Sequence, residues 1–140
     1  MVEDVESVAH RVIGAAIEVH RALGPGFLES VYEEALCVEL THLRIPFARQ
    51  VLVGVKYRGQ MVGHARLDLL VADRLVVELK ATESLAPVHV AQVLAYLKAT
   101  DLELGLLMTF NVRVLRNGIK RIVFDHAPAE AGLLKSCKNN

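Results

Sequence analysis

Two acidic residues and one lysine lie in a mostly apolar stretch of the chain, RLDLLVADRLVVELKA, which spans residues 66–81. An ionised side chain that leaves water costs several kcal/mol unless it is paired or bound to a metal. Two carboxylates that face each other also repel, and one of them resists ionisation unless a divalent cation lies between them. Because Mg²⁺ prefers oxygen ligands, Asp68 and Glu78 are candidate ligands of Mg²⁺ or Mn²⁺.

The spacing of these residues favours one shared site. Glu78 and Lys80 are two residues apart in a predicted strand, so their side chains leave the same face of the sheet. A three-residue turn before this strand would set Asp68 opposite Glu78, with their Cβ atoms about 4.5 to 5.5 Å apart. Lys80 could then hold or activate a water, or neutralise charge that develops on a phosphate. A salt-bridged cluster on a partly exposed sheet face is the alternative interpretation.

Further polar residues recur at helical spacing. Glu29 lies in the first turn of a predicted helix, and Tyr32 lies three residues later on the same side. Favourable contact with the helix dipole is enough to explain an acid at that position. Gln92 and Tyr96 are four residues apart on the polar face of a later predicted helix, which also carries His89. Such polar faces are commonly only solvated.

Hydrophobic periodicity predicts the elements that position these residues. A helix from Val5 to Leu23 ends at GPG, and a second helix runs from about residue 28 to residue 42. Three strands joined by tight turns follow, then a helix that begins near Pro87. The near-continuous apolar run LGLLMTFNV predicts a buried strand, and a final hairpin is expected to turn at Asn117 and Gly118. The pattern indicates a single α/β domain over residues 1–140.

Composition excludes several classes of protein. The chain has 140 residues, of which 53% are hydrophobic, but no apolar run reaches the roughly 18 to 20 residues of a membrane-spanning helix. The start of the sequence, MVEDVESVAH, is acidic and does not resemble a signal peptide. Only Cys37 and Cys137 are present, at no metal-ligand spacing, which predicts a reduced cytoplasmic protein and makes zinc improbable.

The zero net charge hides an asymmetry along the chain. Residues 1–40 hold 2 basic and 8 acidic groups, whereas the remaining 100 residues hold 14 basic and 8 acidic groups. One basic run is a candidate phosphate-contacting patch. Its members are Arg113, Arg116, Lys120 and Arg121. The alternative is a solvated strand face.

Several segments carry a resemblance to known families. GFLESVY resembles the signature of the GxxExxY family. LD…ELK followed by QVLAY resembles the motifs of the PD-(D/E)XK nuclease superfamily, including its QxxxY variants related to RecB- and Cas4-like exonucleases. GLLMTFNVRVLRNGIKRIV is similar to the C-terminal strands of the family, so the resemblance covers nearly the whole chain. One departure is Leu67, which stands where the motif's name has proline.

The resemblance implies a restriction-endonuclease-like fold, with an αβββαβ core and a mixed central sheet flanked by helices. It implies that Asp68, Glu78 and Glu29 are catalytic metal ligands and that Lys80 is the catalytic lysine. Supporting roles are implied for three further residues, namely Tyr32, Gln92 and Tyr96.

The expected function is that of a Mg²⁺-dependent (or Mn²⁺-dependent) nuclease that hydrolyses phosphodiester bonds of nucleic acid, with DNA the expected substrate. A catalytically inactive nucleic-acid-binding or assembly module of the same fold is one alternative. A Holliday-junction-resolvase-like homodimer is another, because a domain of this size has little surface with which to hold DNA alone.

Overall fold

A computed structural model describes residues 3–126 of the protein. Three α-helices, five β-strands and one short 3₁₀ helix follow each other in this order: α1 (Val5–Leu23), α2 (Glu29–His42), β1 (Phe47–Tyr57), β2 (Gln60–Val71), β3 (Leu75–Lys80), α3 (Pro87–Thr100), β4 (Leu104–Thr109), the 3₁₀ helix (Leu115–Gly118) and β5 (Ile119–Val123). Between residues 3 and 126, no helix is both long enough and apolar enough to cross a membrane. Cys137 and the expected ends of the domain lie outside the described residues.

Helix α1 begins and ends at the residues that the sequence indicates. The Asp4 side chain caps its first turn by accepting a hydrogen bond from the Ser7 backbone N–H at 2.8 Å. Gly24 ends it with a positive φ of 69° and donates its N–H to the His20 carbonyl. The apolar stripe between these two caps is buried, so α1 covers one face of the sheet.

The strands form one mixed sheet in the order β1-β2-β3-β4-β5. Neighbours β1, β2 and β3 pair antiparallel, β3 and β4 pair parallel, and β4 and β5 pair antiparallel. The parallel pair needs a crossover, which α3 supplies. The expected αβββαβ core with a mixed sheet is therefore confirmed.

Apolar residues pack on both faces of the sheet. On one face, α1 and α2 cover the strands, with Val12 and Leu36 packed in the same cluster as Leu69, Val77 and Leu106. On the other face, α3 contributes Val93 and Leu97 to a smaller cluster with strand residues Leu67, Val76 and Leu107. Side chains therefore alternate between two buried layers along β3 and β4.

The segment after β4 differs from the sequence-based expectation of a continuous strand and a tight hairpin. β4 ends at Thr109, and the chain reaches β5 through an irregular segment and the 3₁₀ helix. The buried ring of Phe110, the residue after β4, stacks on Tyr32, with ring centroids 4.5 Å apart. Gly118 ends the 3₁₀ helix against the backbone of β4, where an added Cβ would clash with the Thr109 carbonyl oxygen. Residues 110–118 therefore connect β4 to β5 in place of the expected tight turn.

Candidate active site

The two central carboxylates lie where strands β2 and β3 separate. The strands pair from Val71↔Leu75 to Leu69↔Val77, so the turn between them has the three residues that the sequence predicts. Farther from the turn than Leu69, hydrogen bonds from backbone N–H groups to side chains replace the backbone pairing of the two strands. The Asp68 backbone N–H donates to Glu78 Oε1 at 2.8 Å, and the Leu79 N–H donates to Asp68 Oδ2 at 2.9 Å. The expected convergence of Asp68 and Glu78 is therefore present.

These crossed hydrogen bonds fix both carboxylates against the backbone of the opposite strand. Each bond uses one oxygen of its carboxylate, and neither uses Asp68 Oδ1 or Glu78 Oε2. Glu78 is 3% exposed, whereas Asp68 is half-buried. The backbone therefore holds the two carboxylates in place, and each has one oxygen that these two bonds do not use.

The electrostatic environment of Glu78 opposes its ionisation. Burial raises the pKa of this carboxyl to about 8, and repulsion from Asp68 adds to the effect. The Asp68 backbone N–H and the positive charge of Lys80 act in the opposite direction. A divalent cation between the carboxylates would remove this cost, and the donors are oxygens, which Mg²⁺ and Mn²⁺ prefer. The residues present fit such an ion.

Helix α3 brings its polar face to the same side of the sheet. Lys80 Nζ donates to Gln92 Oε1 at 3.2 Å, which connects the end of β3 to α3. Tyr96 follows Gln92 by one helical turn. Burial, and then the negative charges of Glu78 and Asp68, raise the pKa of its hydroxyl. Lys80, Gln92 and Tyr96 therefore lie around the two carboxylates, as the sequence motifs indicate.

Glu29 is the first residue of α2 and approaches the carboxylates from that helix. Partial burial and then the charge of Asp68 raise the pKa of its side chain, while Lys80 lowers it. Glu29 is therefore within electrostatic reach of both residues. Within the described part of the chain, no three His, Cys, Asp or Glu side chains are grouped so as to hold a metal ion. Glu29 as a third ligand therefore stays a prediction.

Tyr32 is buried in the core below the loop that leads to Glu29. Its hydroxyl donates to the Gly24 carbonyl and accepts from the Phe27 N–H, the latter at 3.1 Å. Its ring stacks on Phe110. Tyr32 therefore fixes residues 24–27, the segment that sets the start of α2 and the position of Glu29.

The basic patch lies around the 3₁₀ helix and β5, at the far edge of the sheet from β1. Arg113 and Arg116 line a pocket together with His20 and Arg21. Arg121 is engaged by an ion pair with Glu6 of α1. Lys120 is exposed on β5. Phosphate contact by this patch therefore stays a prediction, and for Arg121 it competes with an internal ion pair.

A buried threonine that sequence reasoning did not single out steadies the segment after Lys80. The Thr82 N–H donates to Thr109 Oγ1 at 3.0 Å, and the same hydroxyl donates to the Thr82 carbonyl. Thr109 is 1% exposed. The only available signal is a hydroxyl residue at the end of the apolar run LGLLM, which by itself does not indicate a partner in the segment after β3.

One of three comparisons with known proteins finds a match. The chain matches no curated protein and no solved structure. A family model described as the PD-(D/E)XK nuclease superfamily matches residues 6–122, a range that contains Asp68, Glu78, Lys80 and all of α3. The narrower resemblance to GxxExxY proteins stays a prediction. Because the match covers most of the sequence, the chain belongs to the PD-(D/E)XK nuclease superfamily.

Proposed function

We propose that the protein is a nuclease that hydrolyses phosphodiester bonds of nucleic acid, with DNA as the expected substrate and Mg²⁺ or Mn²⁺ as the metal. The observation that carries the proposal is the convergence of Asp68 and Glu78 between two separated strands, beside Lys80. A buried pair of like charges destabilises a fold that lacks a cation. The same pair is well suited to bind one.

The carboxylates of Asp68 and Glu78 would hold the ion, and Glu29 would approach it from α2. A bound divalent cation stabilises negative charge on the phosphate oxygens and makes a water more nucleophilic. The protein supplies the fixed geometry, because hydrogen bonds to the backbone hold one oxygen of each carboxylate in place. Binding and orientation of the phosphodiester then fall to the neighbouring side chains.

Lys80 contributes positive charge next to the two acids. Its ammonium group can hydrogen-bond a phosphate oxygen or orient the attacking water, and both actions favour the transition state over the ground state. Gln92 accepts a hydrogen bond from Lys80 Nζ and so restricts where this charge lies. Tyr96 keeps its phenolic proton at neutral pH, since its pKa is raised, and can donate to the backbone of the substrate.

Cleavage of a panel of substrates tests the proposal. Linear duplex DNA, single-stranded DNA, branched DNA and RNA are incubated with the protein in Mg²⁺, in EDTA, and with a Glu78→Gln variant as control. We expect Mg²⁺-dependent products that both EDTA and the substitution abolish. Products that appear equally with the Glu78→Gln variant would refute the assignment. Preferential cutting of branched DNA by a dimer would favour the resolvase-like form of the same chemistry.

A catalytically inactive binding module is the second candidate. It is favoured by the finding that, among residues 3–126, no three potential ligands are grouped for a metal ion. Under this alternative the protein binds nucleic acid but yields no products with any substrate in the panel. Mg²⁺-dependent cleavage would rule it out.

A further inference from the structure

The hairpin formed by β1 and β2 extends beyond the rest of the sheet. β2 pairs with β3 only from Leu69 to Val71, whereas its pairing with β1 continues to the turn at Arg58 and Gly59. Residues 54–66 therefore form a two-stranded projection, which we call the arm. Both turn residues have positive φ angles, 51° and 77°, which match a tight hairpin turn.

The arm has an unusual charge. Residues 40–67 contain five Lys and Arg residues and no Asp or Glu, although the chain as a whole has equal numbers of both. Arg49, at the base of the hairpin, is neutralised by Glu33 and Glu34. The three basic residues on the arm itself are exposed and, among residues 3–126, have no carboxylate within ion-pair distance: Lys56, Arg58 and Arg66.

The tip of the arm exposes apolar and aromatic surface beside these charges. Tyr57, Met61 and Val62 are 64%, 54% and 61% exposed. The Arg58 guanidinium lies 5.8 Å from the centre of the Tyr57 ring. Cations interleaved with an exposed aromatic ring suit a nucleic acid, because the cations contact phosphates and the ring offers a surface on which a base can stack.

The arm continues the strand that carries the active-site aspartate. Arg66 precedes Asp68 by two residues, which at about 3.3 Å per residue is about 7 Å along β2. The turn at Arg58 lies about 30 Å from Asp68 by the same measure. This length approaches the roughly 34 Å of one turn of duplex DNA. The positive charges therefore lie at distances between about 7 and about 30 Å from Asp68 along the hairpin.

We propose that the arm binds the phosphate backbone of the nucleic acid, away from the bond that is cut. This inference rests on the proposed function in that its ligand is the substrate of that site. An arm-to-arm contact between two copies of the chain fits less well, because two arms with uncompensated positive charge repel each other.

The test is fluorescence anisotropy of a short labelled DNA duplex across a salt series, in Ca²⁺ to prevent cleavage. The arm variant combines Lys56→Ala, Arg58→Asn and Arg66→Ala. Asparagine is chosen because it tolerates the positive φ of Arg58 and suits the turn before Gly59.

A control variant with the same change in charge combines Lys98→Ala, Arg44→Asn and Arg11→Ala. These residues are exposed and lie off the arm, and Arg44 also has a positive φ, 59°. Circular dichroism verifies that both variants are folded.

If each arm residue contacts one phosphate, loss of all three flattens the salt slope by about 2.7, since duplex binding gives about 0.9 per contact. Affinity at about 0.1 M salt should fall by about two to three orders of magnitude. The control variant should keep most of the slope and affinity of the wild type.

An arm variant that binds as tightly as the wild type, with the same slope, would overturn the proposal, as would a wild type that binds no DNA. A third result would also overturn it: the wild type sediments as a dimer, the arm variant sediments as a monomer, and the two bind DNA equally well. The arm would then be a protein interface. A wild type that binds DNA through the arm but cuts no substrate in Mg²⁺ refutes the nuclease proposal alone. Cleavage by a wild type whose arm variant still binds normally refutes only the arm.

Discussion

Glu78→Gln should stabilise the metal-free protein at alkaline pH, although it alters a buried residue of the candidate active site. The amide has nearly the shape of the carboxylate and keeps an oxygen that can accept the hydrogen bond from the Asp68 N–H. It carries no charge, so the repulsion between Asp68 and Glu78 disappears. Substitution of most buried polar residues destabilises a protein, which makes the expected sign diagnostic.

The pKa of Glu78 sets the size and the pH range of the effect. Folding raises it from 4.5 to about 8, so the folded protein binds a proton that the unfolded chain has lost. The contribution of Glu78 to stability is therefore greatest below pH 4.5 and is lost as the pH rises to about 8. The difference corresponds to at most about 5 kcal/mol, since one pKa unit is about 1.4 kcal/mol. At about 3 °C per kcal/mol, Tm would change by up to about 15 °C.

Thermal unfolding in EDTA at about pH 5 and about pH 9 measures this effect. Between the lower and the higher pH, the Tm of the wild type should fall by several degrees more than the Tm of Glu78→Gln. At the higher pH the variant should be the more stable of the two. Glu83→Gln, an exposed acid, is the matched control and should follow the wild type. A Glu78→Gln protein that is less stable than the wild type at both pH values would show that repulsion between Asp68 and Glu78 does not destabilise the wild type.

Three further predictions concern neighbouring residues. Lys80→Met should lower cleavage by about 100-fold or more while Mg²⁺ and DNA binding persist, and unchanged activity would remove Lys80 from the mechanism. Tyr32→Phe should cost about 1–3 kcal/mol in thermal unfolding, because the Phe27 N–H loses its partner, and an unchanged Tm would contradict this. Arg116→Ala with Lys120→Ala should flatten the salt slope of DNA binding by about two, and an unchanged slope would identify the basic patch as a solvated face.

The sequence is sufficient to place the central carboxylates because their geometry depends on local rules. Side chains alternate along a strand, and a three-residue turn fixes which positions of a hairpin meet. These two rules set Asp68 opposite Glu78 and Lys80 beside it. The helical spacing of Gln92 and Tyr96 likewise depends only on the pitch of a helix.

Features that depend on tertiary packing could not be predicted from the sequence by such local rules. LGLLMTFNV has the composition of a long strand, yet β4 ends at Thr109, and the ring of Phe110 stacks on Tyr32, which is distant in sequence. The crossed hydrogen bonds of Asp68 and Glu78 have no signature in the sequence. The arm is partly visible in the sequence, because residues 54–66 contain no acids. Only the structure shows that these residues project from the sheet.

Isothermal titration with Mg²⁺ at pH 7 tests most directly whether Asp68 and Glu78 hold the metal. A carboxyl with a pKa of about 8 is mostly protonated at pH 7, so binding of one ion to the wild type should release most of one proton. Titration in buffers of different ionisation enthalpy measures that proton. The double variant Asp68→Asn with Glu78→Gln should neither bind the ion at this site nor release the proton. Equal binding by the double variant, or wild-type binding without proton release, would contradict the account.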